Sequence, residues 1–103
     1  WNDEGLKALS ARVVRAAPNY AEANTMRACV LSGACDPWGL LPTPWEVAPR
    51  SAAELTEAAT HFDQSAALCP APVVKANRAD AADWCRYRAA GGVRPLLPSS
   101  VQG

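Results

Sequence analysis

Residues 18–33 read PNYAEANTMRACVLSG, and this stretch decides the fold. Pro18 ends one helix, because proline removes a backbone donor and clashes with the preceding turn. Asn19 is a predicted N-cap, and Glu22 stands three residues on, at the spacing of a capping box. Apolar residues then recur at helical spacing up to a terminal glycine: Ala23, Met26, Val30 and Gly33. The stretch therefore predicts one helix, a tight corner and a second helix.

Comparable signals predict four helices, roughly residues 1–17, 20–32, 51–69 and 73–90. Asn2 or Asp3 is the predicted cap of the first. The third opens with Ser51 and Glu54 at capping-box spacing. The fourth is expected to bury Trp84 and to end at Gly91-Gly92, with a solvated face of alternating charges: Lys75, Arg78, Asp80, Asp83, Arg86 and Arg88. We therefore expect an all-α fold of four antiparallel helices, with one domain over 1–92 and a tail over 93–103.

The composition predicts a thin core and gives no support to two classes of partner. Alanine accounts for 22 of the 103 residues, and it favours helices while burying little surface. Ten basic and ten acidic residues give no net charge, which gives no support to binding nucleic acid or an anionic membrane surface. No stretch approaches the roughly 18 apolar residues of a membrane span. Because the chain begins at Trp1, we expect any targeting segment to lie upstream.

Residues 34–50 are predicted to form a long loop, since four prolines rule out a regular helix: Pro37, Pro42, Pro44 and Pro49. The loop is also rich in large apolar side chains, which are costly to leave in water: Trp38, Leu40, Leu41, Trp45 and Val47. Either these side chains pack on the parent helices, or they anchor a partner. The same two alternatives apply to Leu96 and Leu97 in the tail.

The chemistry-bearing residues do not form a recognisable site. His61 has only Glu57 at helical spacing, and one imidazole with one carboxylate makes neither a metal site nor a catalytic pair. Four cysteines could form two disulfides, buried thiols or a reactive thiol: Cys29, Cys35, Cys69 and Cys85. None forms a Cys-x-x-Cys pair, and Cys35 is the one loop thiol. We therefore predict no enzyme activity, no cofactor and no metal, with a small thiol or disulfide redox protein as the alternative.

Two segments resemble the tetratricopeptide repeat. Residues 17–23, APNYAEA, resemble the junction where one repeat ends in proline and the next opens with Ala-Glu-Ala. Ala58, Phe62 and Pro70 have the family's spacing in the second half. Pro18 and Pro70 are then equivalent, and their separation exceeds the repeat of about 34 residues by nearly the length of the loop. The sequence departs from the family's Trp, Leu-Gly and aromatic positions at Asn24, Arg27-Ala28 and Leu31.

This resemblance implies tetratricopeptide-like helix hairpins, with the Pro/Trp-rich loop as an insertion between the two helices of one repeat. It also implies a non-catalytic protein that binds other proteins, either as an interaction module or as an accessory or assembly subunit of a larger complex. Three further segments, MRACVLSG at 26–33, RSAAEL at 50–55 and LCPAP at 68–72, are similar to Ala-rich predicted proteins of algal type. This second resemblance favours an organellar setting, in plastid or mitochondrion, and a photosynthetic or respiratory complex. The expected partner-contacting residues are those of the loop and tail: Trp38, Leu40, Leu41, Trp45, Val47, Leu96 and Leu97.

Overall fold

The computed structural model describes residues 2–34, 43 and 45–91. Within them the chain forms four α-helices and no strand: α1 (Asp3–Ala16), α2 (Ala21–Ser32), α3 (Ala52–Leu68) and α4 (Pro72–Ala89). The predicted all-α class is confirmed, with helix ends within two residues of those expected. The tail and most of the loop, residues 35–42 and 44, lie outside the described residues.

The helix ends follow local sequence signals. Asn2 caps α1, because its Oδ1 accepts a hydrogen bond of 2.7 Å from the Gly5 backbone. Ser51 and Glu54 form the expected capping box at α3. Gly33 ends α2 at φ 75°, where an added Cβ would lie 2.8 Å from Val47 Cγ1. Glycine is required there both for the left-handed backbone and for this close approach.

The predicted cap at Asn19 is wrong. The residue preceding α2 is Tyr20, and it makes no side-chain capping bond. Asn19 instead lies in a turn that is closed by a hydrogen bond of 3.1 Å from the Tyr20 N–H to the Ala17 carbonyl. Helix α2 begins one residue later than the capping-box pattern predicts. Glu22 therefore lies two residues after the cap residue Tyr20, not three.

Each helix packs mainly on its neighbours in sequence: α1 on α2, α2 on α3, and α3 on α4. Thr25 of α2 contacts Ser65 of α3, while Arg27, further along α2, contacts Glu57, which comes earlier in α3. These two helices are therefore antiparallel. At the edge of this arrangement, α1 buries only Ser10 completely, and its leucines and valines are half-buried.

The core is thin, as the composition predicts. Its central cluster combines five alanines with three larger residues: Ala28, Ala58, Ala59, Ala81, Ala82, Leu31, Phe62 and Cys85. Phe62 is fully buried and is the largest of them. The prediction that Trp84 belongs to this core is wrong, because Ala81, Ala82 and Cys85 take the buried face of α4. Trp84 is half-buried and stacks on Tyr87 with ring centroids 5.5 Å apart.

Candidate partner-binding groove

A groove opens at the end of the molecule where α2 and α4 begin and α3 ends. We call it the α2–α4 groove, and its volume is about 280 Å³. It is lined by residues of all three helices: Ala21, Glu22, Thr25, Met26, Ser65, Cys69, Val74 and Arg78. Because the first turns of two helices and the last turns of a third meet here, the groove is a property of the fold and no loop is needed to build it.

Two hydroxyl groups fix the groove where α2 meets α3. Ser65 is 2% exposed, and its Oγ lies 2.6 Å from Thr25 Oγ1. Thr25 Oγ1 donates to the Ala21 carbonyl at 3.1 Å, so Ser65 is the donor of the shorter bond. Both hydroxyl protons are thereby used inside the protein. The pair acts as a rigid link between helices and leaves no activated nucleophile.

Exposed apolar side chains concentrate at this same end. The large hydrophobic residues left exposed among the described ones are Tyr20 (58%), Val73 (82%), Val74 (38%) and Tyr87 (48%). Three of these four sit in or beside the first turns of α2 and α4, and Val74 lines the groove itself. Met26 adds a half-buried, flexible apolar chain. Contiguous apolar surface of this kind is typical of sites that bind other molecules.

Arg78 brings a positive charge to the groove. It is half-buried, and Nη1 donates to the Asn77 side chain at 2.5 Å. Its Nε is buried without an acceptor, and no carboxylate of the described residues lies within 4.0 Å of its guanidinium. Arginine is rarely buried without a partner. The predicted solvated face of α4 is therefore wrong at Arg78, which lies on the packed side with Ala81, Ala82 and Cys85.

Arg88 departs from the predicted solvated face in the same way, since it is half-buried and donates to the Ser32 carbonyl at 3.2 Å. Arg50 donates to the Val30 carbonyl at 2.9 Å. The last turn of α2 contains no basic residue of its own. Two arginines from elsewhere in the chain therefore supply the positive charge that favours a helix C-terminus.

Two of the residues predicted to contact a partner lie where the loop returns to the helices. Trp45 is half-buried, and its Nε1 donates to Asp3 Oδ1 at 3.1 Å. Val47 is half-buried against Gly33. These contacts lie within the chain and show that this part of the loop packs on its parent helices. The other predicted contact residues lie outside the described residues: Trp38, Leu40, Leu41, Leu96 and Leu97.

An ion pair between Arg50 and Asp3 holds the last residues of the loop against the start of α1. Arg50 donates to both oxygens of Asp3, at 2.6 Å and 2.5 Å, and its side chain is 2% exposed. The hydrogen bonds from Arg50 hold the pKa of the Asp3 carboxyl well below its ordinary range, and the Trp45 bond acts in the same direction. Lys7 extends this network to Glu54 at 2.6 Å and thereby lowers the pKa of that carboxyl.

His61 belongs to a network that packs α3 on α2. Its Nδ1 lies 3.0 Å from Asn24 Oδ1, and its Nε2 lies 3.4 Å from Glu57 Oε2. Asn24 is 2% exposed, and its amide nitrogen donates to the Pro18 and Tyr20 carbonyls. Glu57 also accepts from Arg27. His61 therefore contributes to the packing of α3 on α2.

Cys69 and Cys85 differ in how far their thiols are buried. Cys85 is fully buried, and this burial raises the pKa of its thiol to about 11. Cys69 is half-buried in the groove, and its Sγ lies 3.9 Å from the Ala71 carbonyl. Cys35 lies outside the described residues. Across the described part of the chain, no three His, Cys, Asp or Glu side chains are placed to hold a metal ion.

The fold and the groove define a small all-helical protein, and its described helices are too short or too polar to cross a membrane. Comparison with known proteins found no matching family model, no similar curated protein and no similar solved structure.

Proposed function

We propose that this chain is a non-catalytic protein-interaction module, working as an accessory or assembly subunit of a larger complex. A segment of the partner protein docks in the α2–α4 groove. The observation that carries the proposal is the exposure of Val74, which lines this groove, together with that of Tyr20 and Val73, which precede the lining residues Ala21 and Val74 in the chain.

The energetics of the fold favour such a role. A core of five alanines with few large side chains yields little hydrophobic stabilisation, at about 25 cal/mol per Å² of buried apolar area. Solenoids of the tetratricopeptide type usually need about three repeats to be stable, and four helices supply fewer. Covering Val73 and Val74 with a partner would add buried apolar area at the place where the chain lacks it.

The loop and the tail remain proposed contact elements, through Trp38, Leu40, Leu41, Leu96 and Leu97. Trp45 and Val47 contribute to the fold through Asp3 and Gly33. They therefore hold the C-terminal end of the loop against the helices. This role does not depend on what the rest of the loop contacts. The resemblance to proteins of algal type supports an organellar complex as the setting.

The proposal is tested by comparing what copurifies with the tagged native protein and with two variants of the same helix. Val73→Glu places a charge directly before Val74, which lines the groove, and Ala79→Glu places one at an exposed position six residues further along α4. We expect a defined protein to copurify with the native chain and with Ala79→Glu, but to be lost with Val73→Glu. Equal recovery with both variants would contradict docking at the groove.

A further inference from the structure

Arg78 is unusual among the arginines that the structure places between helices. Arg27 meets Glu57, Arg50 meets Asp3, and Arg88 meets a helix C-terminus. Arg78 is half-buried with a single hydrogen bond, to the neighbouring Asn77, and its Nε has no acceptor. A guanidinium has five donors, so most of its hydrogen-bonding capacity is unused within the described chain.

The other charges of the groove do not satisfy Arg78. The proximity of Glu22 raises the pKa of the Tyr20 phenol, and Glu22 makes no ion pair with Arg78 within 4.0 Å. Lys75 lies outside the lining of the groove and donates to the Ala66 carbonyl at 2.8 Å. The charged residues of the lining are therefore Glu22 on α2 and Arg78 on α4, and Arg78 is the one that shares its helix with Val74.

We propose that the docked partner segment carries a carboxylate side chain next to an aliphatic one. The carboxylate pairs with Arg78, and the aliphatic chain packs between Met26 and Val74. This inference rests on the proposed function, because it assigns the chemistry of the segment that occupies the α2–α4 groove. Arginine suits this role because its planar fork binds a carboxylate through two parallel hydrogen bonds.

The test uses a random-peptide library displayed on phage and selected against the purified native chain. We expect the selected peptides to be enriched in Asp or Glu beside Leu, Ile, Val or Met. Their affinity should fall about tenfold on Arg78→Gln, which corresponds to roughly 1.4 kcal/mol. Arg12→Gln, on the exposed surface of α1, is the matched control and should leave the affinity unchanged. Arg78→Lys keeps the charge but loses the fork, and should retain the acidic preference at reduced affinity.

The outcomes separate the two claims. In one outcome, the selected peptides lose binding on Val73→Glu but show no acidic preference and no response to Arg78→Gln. That result would overturn the carboxylate inference but would still support docking in the groove. A selection that yields no peptide sensitive to Val73→Glu would overturn both. Circular dichroism of each variant checks that the helices are intact, so that a loss of affinity can be assigned to the groove.

Discussion

Arg50 and Asp3, 47 residues apart in sequence, form a two-pronged ion pair that joins the start of α1 to the residue preceding the cap of α3. The same guanidinium reaches the Val30 carbonyl near the end of α2. One side chain thus ties together three helices that share only a thin apolar core. The end of the loop is thereby fixed in place by an ion pair whose side chains are 2% and 11% exposed, for Arg50 and Asp3 respectively.

Replacing Arg50 should therefore destabilise the protein strongly. Arg50→Met keeps much of the side-chain length but leaves the Asp3 carboxylate, whose side chain is 11% exposed, without its main partner. Removing one member of a buried pair typically costs about 3–5 kcal/mol. Denaturant unfolding followed by circular dichroism measures the change in the free energy of unfolding.

Glu4→Gln is the matched control for this experiment, since Glu4 neighbours Asp3 but its side chain is 87% exposed. Its effect should stay below about 0.5 kcal/mol. An Arg50→Met protein as stable as the Glu4→Gln protein would show that the ion pair contributes little.

The low pKa values of Asp3 and Glu54 predict acid sensitivity. Both carboxyls have lower pKa values when folded than when unfolded. Their stabilisation is therefore present above the unfolded pKa of about 4, and is lost as the pH falls towards the folded values. We expect the free energy of unfolding to drop between about pH 5 and pH 2. Asp3→Asn should show a shallower drop, and identical pH profiles would contradict the assignment.

Cys85 should resist alkylation in the folded protein. Its thiol is fully buried with a pKa raised to about 11, so under about 0.1% is thiolate near neutral pH. Iodoacetamide followed by peptide mass spectrometry should label the half-buried Cys69 first, and Cys85 only after unfolding in denaturant. Equal labelling rates in the native protein would contradict the burial and reopen the redox alternative.

Phe62 should dominate the stability of the core. It is the largest member of an alanine-rich cluster and is fully buried. Phe62→Ala should cost about 3–5 kcal/mol, and Phe62→Leu less than about 1.5 kcal/mol, because the cavity left is smaller. Since small domains are stable by roughly 5–15 kcal/mol, the alanine change should remove a large share of the total stability. Urea midpoints of the two variants measure the difference, and equal midpoints would show a core that tolerates cavities.

The sequence predicts the helices well because their signals are local. The Ser51–Glu54 capping box, Gly33 and the apolar spacing of α3 each act within a few residues. The contacts that join separate elements, by contrast, are distant in sequence. Nothing within a turn of Trp45 indicates that its N–H will meet Asp3, 42 residues earlier.

Arg78 shows a second limit of sequence-based prediction. The alternating charges of α4 suggest a solvated face, but Arg78 precedes Ala81, Ala82 and Cys85 at helical spacing and shares their packed side. The charge of a residue alone does not decide its burial, because a long side chain can pack its stem while keeping its head in a groove. The spacing to these buried residues was the signal that could have located it.

The central claim, that a partner segment docks in the α2–α4 groove, is tested most directly by hydrogen–deuterium exchange of the free chain and of the chain with its copurified partner. Binding should slow exchange in residues 20–26 and 72–78, at the starts of α2 and α4, while exchange in the first turns of α1 stays the same. Protection elsewhere without protection of these two segments, or a chain that copurifies with nothing, would contradict the account.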